Sequence, residues 1–451
     1  AKYNTSGMFY AHASVGTLHV RPVLNMKSDQ DIKNMKAIAE EAFEMVKKYK
    51  GSHSGEHGDG IVRSEFHEKM FGKKIINSFE QIKDSFDKKN LLNPHKIVRP
   101  FKSDDRSLMR YKSGYKAENI STHYDWSSWG QFSDAVEMCN NNGACRKLDS
   151  GVMCPSYRVT KEEKDLVRGR ANTLRLALSN QLPKDSFVSK GMYETMELCV
   201  SCKACQRECP MSVDMAKMKS EFLSHYYRKF YMSLKDRVIS NMPKLIWLLK
   251  ITNPMINILN KLPIFGQMIE WFGFSSKRSL PVVENQEPLK EIYNDQVNLE
   301  KKVILFADTF NINFEIKNLM YAIKVLNKFG YQAIIPSFQN DNLDRPLCCG
   351  RTYISLGQLD KAKMELERFT KYVSDNGYNE LPVVGIEPSC LLTFNDEFKS
   401  FSHLKNRSKI KNEFFLLEEF VLNEIKNGNK IKYKDFNKNV LIHGHCHQKS
   451  Q

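Results

Sequence analysis

The feature that most constrains this chain is Cys199-Val-Ser-Cys202-Lys-Ala-Cys205, with Cys209-Pro210 close behind. Two short turns point three thiolates inward, the arrangement that wraps three corners of an iron–sulfur cube. In two-cluster ferredoxins the fourth cysteine, the one before proline, ligates the other cluster. Structural zinc instead favours two separate Cys-x2-Cys arms. Seven of the 11 cysteines lie between Cys139 and Cys209, a spacing that suits metal ligation in a reducing compartment better than a disulfide framework. Upstream, Cys139-Asn-Asn-Asn142-Gly-Ala-Cys145 and Cys154-Pro155 form a partner motif in which Asn142 stands where a second cysteine is expected. The exchange rule then assigns one cluster to Cys154, Cys199, Cys202 and Cys205. It assigns the other to Cys139, Cys145 and Cys209, with a fourth corner left open. That second site holds three irons, or four with a non-cysteine ligand, or none. One or two [4Fe-4S] clusters in a helical domain carry electrons rather than make bonds, and they imply a redox donor elsewhere.

At 451 residues the chain has room for several cores, and 41% hydrophobic with 27% charged residues place it among folded proteins. The net charge of +16 comes from lysines spread along the chain, so no nucleic-acid partner is expected. Leu245 to Phe274 is apolar but cut by Lys250, Pro254, Lys261, Pro263 and Glu270, which excludes a membrane span. With Trp247 and Trp271, that stretch suits either a peripheral position on the inner membrane face or core helices of the cluster domain. No signal peptide opens the chain, and a cytoplasmic location is expected. The chain begins at Ala1 and stops just after a His/Cys-rich motif, so a fragment is expected at both ends.

The expected fold class is α+β multidomain. Residues 1–100 read as an α+β unit: strands from Phe9 to Leu24 with a turn near Gly16, then a helix through Ile32, Met35, Ala39, Ala42, Val46 and Tyr49. Ser28 and Asp31 are placed as its capping pair, and Gly51 ends it. A polar strand and loop over residues 52–60 and two further helical stretches lead to Asn93-Pro94. Residues 101–132 read as a linker, 133–234 as the all-α cluster domain, and 235–300 as amphipathic helices and a connector. Residues 301–451 read as α/β, with strands at 303–306, 333–335, 383–386 and 440–442 and a helix through Ile316, Leu319, Ile323 and Leu326 ending at Gly330.

His12-x6-His19 sets two imidazoles around a turn, and Glu56-His57 lies on a glycine-lined loop. Two histidines and a carboxylate are either a three-ligand metal set with open positions or polar residues beside a turn. A neutral histidine beside them is suited to general-base work. Cys348-Cys349-Gly350, Glu387-Pro-Ser-Cys390 and His443-Gly-His445-Cys446-His447 each follow an expected strand, as redox or metal sites or as buried thiols.

Taken together, His12-x6-His19, Ser54-Gly-Glu56-His57-Gly-Asp-Gly60, Asn93-Pro94, the cysteine run and Cys348-Cys349-Gly350 resemble the flavin-linked oxidases of the vanillyl-alcohol-oxidase superfamily fused to an iron–sulfur subunit. That group includes bacterial D-lactate, glycolate and D-2-hydroxyglutarate dehydrogenases. The resemblance implies a partial ferredoxin-like α+β flavin-oxidase C-terminal domain, an all-α two-cluster ferredoxin domain and a truncated α/β cysteine-rich domain. It implies that His12, His19 and Glu56 hold a divalent metal, usually zinc, and that His57 takes the proton of a small 2-hydroxyacid. FAD is implied as hydride acceptor, with its pocket mostly in a preceding domain, and a quinone or cytochrome as the final acceptor. Thr309 and Glu387 stand where relatives of the cysteine-rich domain use further cysteines, which argues against a non-cubane cluster on Cys348, Cys349 and Cys390. The alternative is a non-catalytic iron–sulfur electron-transfer subunit or scaffold.

Overall fold

Strand β1 (Gly7–His12) alternates small and aromatic residues and pairs antiparallel with β2 (Thr17–Pro22). The turn between them needs one left-handed residue, and Gly16 supplies it at φ +64°. In this computed structural model the described residues are 2–149, 151–339, 343, 345–404, 407–429, 431 and 438–450. They fold as two compact units, residues 1–116 and 117–451.

In the first unit helix α1 (Asp29–Lys48) follows the hairpin, and the Ser28 hydroxyl accepts from the Asp31 amide at its N-terminus, as the capping pair predicts. Its buried residues are Ile32 and Phe43, whereas Ala42 and Tyr49 are exposed. The expected apolar face is therefore rotated, because Phe43 stacks on Phe66 at 5.0 Å and the aromatic pair outweighs the smaller side chains. Residues 52–60 form no strand, since their polar groups bond within the loop, as with the Ser52 hydroxyl and the carbonyl of Ser54. Short helical turns from Gly60 and helix α2 (Lys73–Phe86) complete the unit.

The second unit begins within the expected linker, where Tyr124 and Trp126 are buried in its core. Helices α3 (Val167–Leu178), α4 (Lys190–Glu197), α5 (Ala204–Glu208) and α6 (Met215–Lys229) surround the cysteines. Helix α7 (Met242–Leu259) carries Pro254 inside it, and no described helix is long and apolar enough to cross a membrane. A four-stranded parallel sheet follows, in the order β4 (Tyr331–Ile334), β3 (Lys301–Phe306), β5 (Val383–Gly385), β6 (Phe414–Leu416). Residues 303–306 are all buried, as a parallel strand covered on both faces requires. Ile304 and Phe306 join the core that contains the cysteine helices; Val303 and Leu305 join a second core with Leu319, Ile323 and Leu326. The expected strand at 440–442 is absent: Val440, Leu441 and Ile442 are exposed and extend no ladder, and the fourth strand is β6 instead.

Because β3 lies between β4 and β5, the connections leave it toward opposite sides, and the carboxyl ends of β3 and β5 bound a crevice at a topological switch point. Asp308 and Thr309 follow β3, and Glu387 and Cys390 follow β5, so the sheet order brings these residues together.

Candidate functional site: a histidine–carboxylate triad and two cysteine clusters

In the first unit the register pairs Tyr10 with His19 and His12 with Thr17, so all four side chains share one face of the hairpin. The loop of residues 52–60 crosses that face. A Cβ on Gly55 would lie 2.0 Å from Thr17 Oγ1, so only glycine lets the loop approach this closely. Glu56 then reaches both imidazoles: Oε2 lies 2.7 Å from His12 Nδ1 and Oε1 lies 2.8 Å from His19 Nε2. Ligand atoms of the three residues lie within 4.8 Å of one another, close enough for one ion. Tyr10 stacks on the His19 ring at 4.8 Å and fixes its plane. His57 Nε2 stands 3.4 Å from Glu56 Oε1 with its side chain 64% exposed, open to a molecule bound at the triad.

In the second unit Cys154, Cys199, Cys202 and Cys205 line one cavity with Met153, Val167 and Met215. Three come from the loop before α5 and its first turn; Cys154 arrives from upstream. The Glu208 carboxylate accepts from the amides of Val152 (2.8 Å) and Met153 (3.1 Å) and so anchors the segment that delivers Cys154. Burial pushes the Cys154 thiol up to about 11 against the pull of Arg170, and burial drives Cys205 well above its ordinary value. Thiolates at such positions need a cation beside them, and an iron–sulfur cluster supplies one. Arg170 Nη1 lies 3.8 Å from Cys154 Sγ, and Lys219 Nζ donates to the carbonyl of Cys199 at 2.5 Å. The residues present therefore fit a cluster.

Cys139 and Cys145 are buried, and α5, which leads into Cys209, packs on the turn Ala144–Arg146. Asn142 does not occupy the open corner. It is exposed, and its carboxamide binds Asn140 and the amide of Ala144 at 2.6 and 2.8 Å, closing the turn that replaces a cysteine. The neighbouring Asn141 Oδ1 is the group near Cys139, at 3.8 Å from Sγ. Sequence spacing points to Asn142 because it counts positions; the Asx turn reverses which side chain faces inward.

Cys348, Cys349 and Cys390 are buried at the switch point, and burial contributes to raising all three thiols. The amides of Gly350 and Arg351 point at Cys348 Sγ and Cys349 Sγ, each at 3.4 Å. Glu387 is spent on the amide and hydroxyl of Ser389, and Cys446 is exposed at the start of the helix Cys446–Ser450. His447 is buried there with Nε2 3.1 Å from the carbonyl of Ser201. The sequence reading missed the ionic seam beside the cluster loop. Lys203, between Cys202 and Cys205, is 1% exposed and binds Asp396 (2.6 Å) and Glu397 (2.7 Å); Arg351 holds the same Glu397.

Comparison with known proteins matches residues 1–97 to the family of FAD linked oxidases, C-terminal domain, and residues 135–213 to the 4Fe-4S dicluster domain. The chain thus carries one segment similar to flavin-linked oxidases and a later one similar to dicluster domains. The cofactors of these two families are FAD and [4Fe-4S] clusters. D-2-hydroxyglutarate dehydrogenase of Pantoea ananatis is 26% identical over 446 residues, covering 87% of this chain and 42% of that protein. The Escherichia coli enzyme of the same name is 25% identical over 440 residues, with 87% and 42% covered. The glycolate oxidase subunit GlcD of Bacillus subtilis is 30% identical over 97 residues, 22% of this chain and 21% of its own. The chain thus spans about two fifths of the length of the dehydrogenases it matches. No solved structure matches it. The triad lies within the residues matched to the flavin-linked oxidases, and Cys139, Cys145, Cys154, Cys199, Cys202, Cys205 and Cys209 lie within those matched to the dicluster domain.

Proposed function

We propose that this chain is the metal-site and electron-exit portion of an FAD-dependent D-2-hydroxyacid dehydrogenase, with D-2-hydroxyglutarate the first substrate to test. The observation that carries the reading is Glu56 bridging His12 and His19 with His57 beside them. These three ligands suit a divalent ion such as zinc, which when bound lowers the pKa of a coordinated hydroxyl. In the neighbouring open positions the substrate's carboxylate and 2-hydroxyl sit next to His57, which accepts the hydroxyl proton as the catalytic base. Tyr10 and Gly55 are positioning residues, one holding a ligand ring and the other the loop. FAD would supply the acceptor for the hydride at C2. Cys154, Cys199, Cys202 and Cys205 would hold one cluster and Cys139, Cys145 and Cys209 a second, and the clusters would supply a path for electrons to a quinone or cytochrome.

On this reading the domains run 1–100 (substrate and metal), 101–132 (linker), 133–234 (all-α dicluster), 235–300 (amphipathic helices) and 301–451 (α/β, cysteine-rich). The exposed Trp247, Ile251 and Ile258 of α7, with Trp271 beyond it, favour a peripheral position on the inner membrane face, where a quinone is at hand. The alternative, a scaffold subunit without catalysis, leaves the triad without a purpose.

The test is turnover of D-2-hydroxyglutarate by the flavin-containing holoenzyme with an artificial electron acceptor. His57→Ala is expected to lower kcat by about 10²-fold or more with iron content unchanged. Unchanged turnover overturns the assignment of the base. Substrate binding that survives Glu56→Gln at full strength overturns the metal site.

A further inference from the structure

A second histidine–carboxylate group lies in the first unit and shares the loop of residues 52–60 with the triad without sharing a residue with it. His53, Asp59 and His67 offer ligand atoms within 4.8 Å of one another. His67 Nε2 is 2.8 Å from Asp59 Oδ2, and His53 Nε2 is 3.7 Å from Asp59 Oδ1. The first separation is short and the second too long for a hydrogen bond. Both bracket the spacing of about 3.3 Å between neighbouring ligands of tetrahedral zinc with bonds near 2.0 Å.

Two details separate this group from an ordinary polar cluster. The His53 side chain is 6% exposed, yet neither of its ring nitrogens has a hydrogen-bond partner, and Asp59 Oδ1 is likewise buried without one. Such orphaned atoms are destabilising unless something satisfies them. The second detail is His67, whose side chain is 4% exposed and whose Nδ1 lies 3.3 Å from the carbonyl of Ile97. A carbonyl accepts only, so Nδ1 donates there, and Nε2 faces Asp59 Oδ2 at 2.8 Å, where either a proton or a metal ion satisfies both atoms. A backbone carbonyl behind the non-ligating nitrogen is also the usual support of a metal-bound histidine. Phe43 and Phe71 pack on the His53 ring at 5.8 and 6.0 Å and close the apolar side of the site.

We propose that His53, Asp59 and His67 form a second divalent-metal site, of the zinc class, that ties the loop carrying Glu56 and His57 to the helix His67–Phe71. Two imidazoles and one carboxylate favour zinc over calcium or magnesium, which prefer all-oxygen shells. The site is structural: His67 is buried, His53 and Asp59 are half-buried, and the ion clamps both ends of the loop rather than meeting substrate. It stands independently of the dehydrogenase reading.

The test is zinc counting on cluster-loaded protein that has been stripped with chelator, equilibrated with zinc ions and desalted, in four forms: wild type, Glu56→Gln, His53→Ala and the double variant. Relative to the double variant, wild type is expected to retain two more zinc ions and each single variant one more. Zinc should also raise the unfolding temperature of Glu56→Gln and leave that of the double variant unchanged. If Glu56→Gln holds no more zinc than the double variant, if His53→Ala holds as much as wild type, or if zinc leaves the unfolding temperature of Glu56→Gln unmoved, the site does not exist.

Discussion

Gly55 shows how much of the triad depends on one missing methyl group. A Cβ there would meet not only Thr17 Oγ1 but Thr17 Cγ2 at 2.9 Å and Cβ at 3.0 Å, and a β-branched side chain on a strand has no rotamer that clears all three. Gly55→Ala must therefore lift the loop and carry Glu56 away from the two imidazoles. Zinc affinity of the triad is expected to fall about 10- to 100-fold, as for loss of a ligand's supporting contact, with iron content intact. Titration with zinc in a His53→Ala background checks this; an affinity equal to the parent's would mean that the loop does not deliver Glu56 as described. The same residue was legible in the sequence only as part of a glycine-lined loop. The need for glycine at that position comes from Thr17, which is distant in sequence and adjacent only through the hairpin.

Among the elements, α6 does more than pack. Its Glu221 is fully buried and accepts from the amides of His123 (2.8 Å) and Tyr124 (2.7 Å), pinning the segment that enters the second unit. The same carboxylate lies 3.4 Å from His123 Nδ1, and Asp360 lies 3.2 Å from Nε2. The hydrogen bond to Glu221, opposed by burial and aided by Asp360, raises the pKa of His123 above its ordinary value. A raised histidine binds its proton more tightly in the folded state. Its contribution is complete below about pH 6.5, the unfolded value, and is lost as pH climbs through the folded value. The unfolding temperature of the second unit should thus fall as pH rises from about 6.5 through the folded value, and His123→Gln should flatten that fall. Superimposable pH profiles for the two proteins would exclude the pair as its source. At this scale the sequence pattern was informative where periodicity is strong: the hairpin, the capped α1 and the buried run at 303–306 all stand. It failed at residues 52–60, a polar and glycine-rich run, and at the apolar run 440–442, neither of which pairs with a strand.

At the scale of the whole molecule, the cluster loop and the parallel sheet of the second unit are joined by buried charge. Lys203 sits between Cys202 and Cys205, yet its ammonium is neutralised by Asp396 and Glu397, which follow β5, while Lys217 reaches the same Asp396 at 2.5 Å. Lys203→Met leaves two buried carboxylates short of one cation, a change expected to cost about 3 kcal/mol. The variant should unfold at lower temperature and retain less iron after anaerobic purification, because the loop that presents Cys202 and Cys205 loses its anchor. Wild-type stability and iron content in Lys203→Met would show that the seam carries no such load.

What the sequence determined by itself is what chain connectivity controls. Ligands separated by two residues, as in Cys199, Cys202 and Cys205, are brought to one point by their own turns, and His12 and His19 are brought to one face by the pairing of adjacent strands. The tertiary structure alone decided the rest. It turned Asn142 outward, set Asp59 between His53 and His67, and placed the acceptors of Lys203 beyond β5. Those outcomes depend on burial and on side chains far apart in the chain, where a carboxylate or an imidazole takes its role from the partners that packing provides.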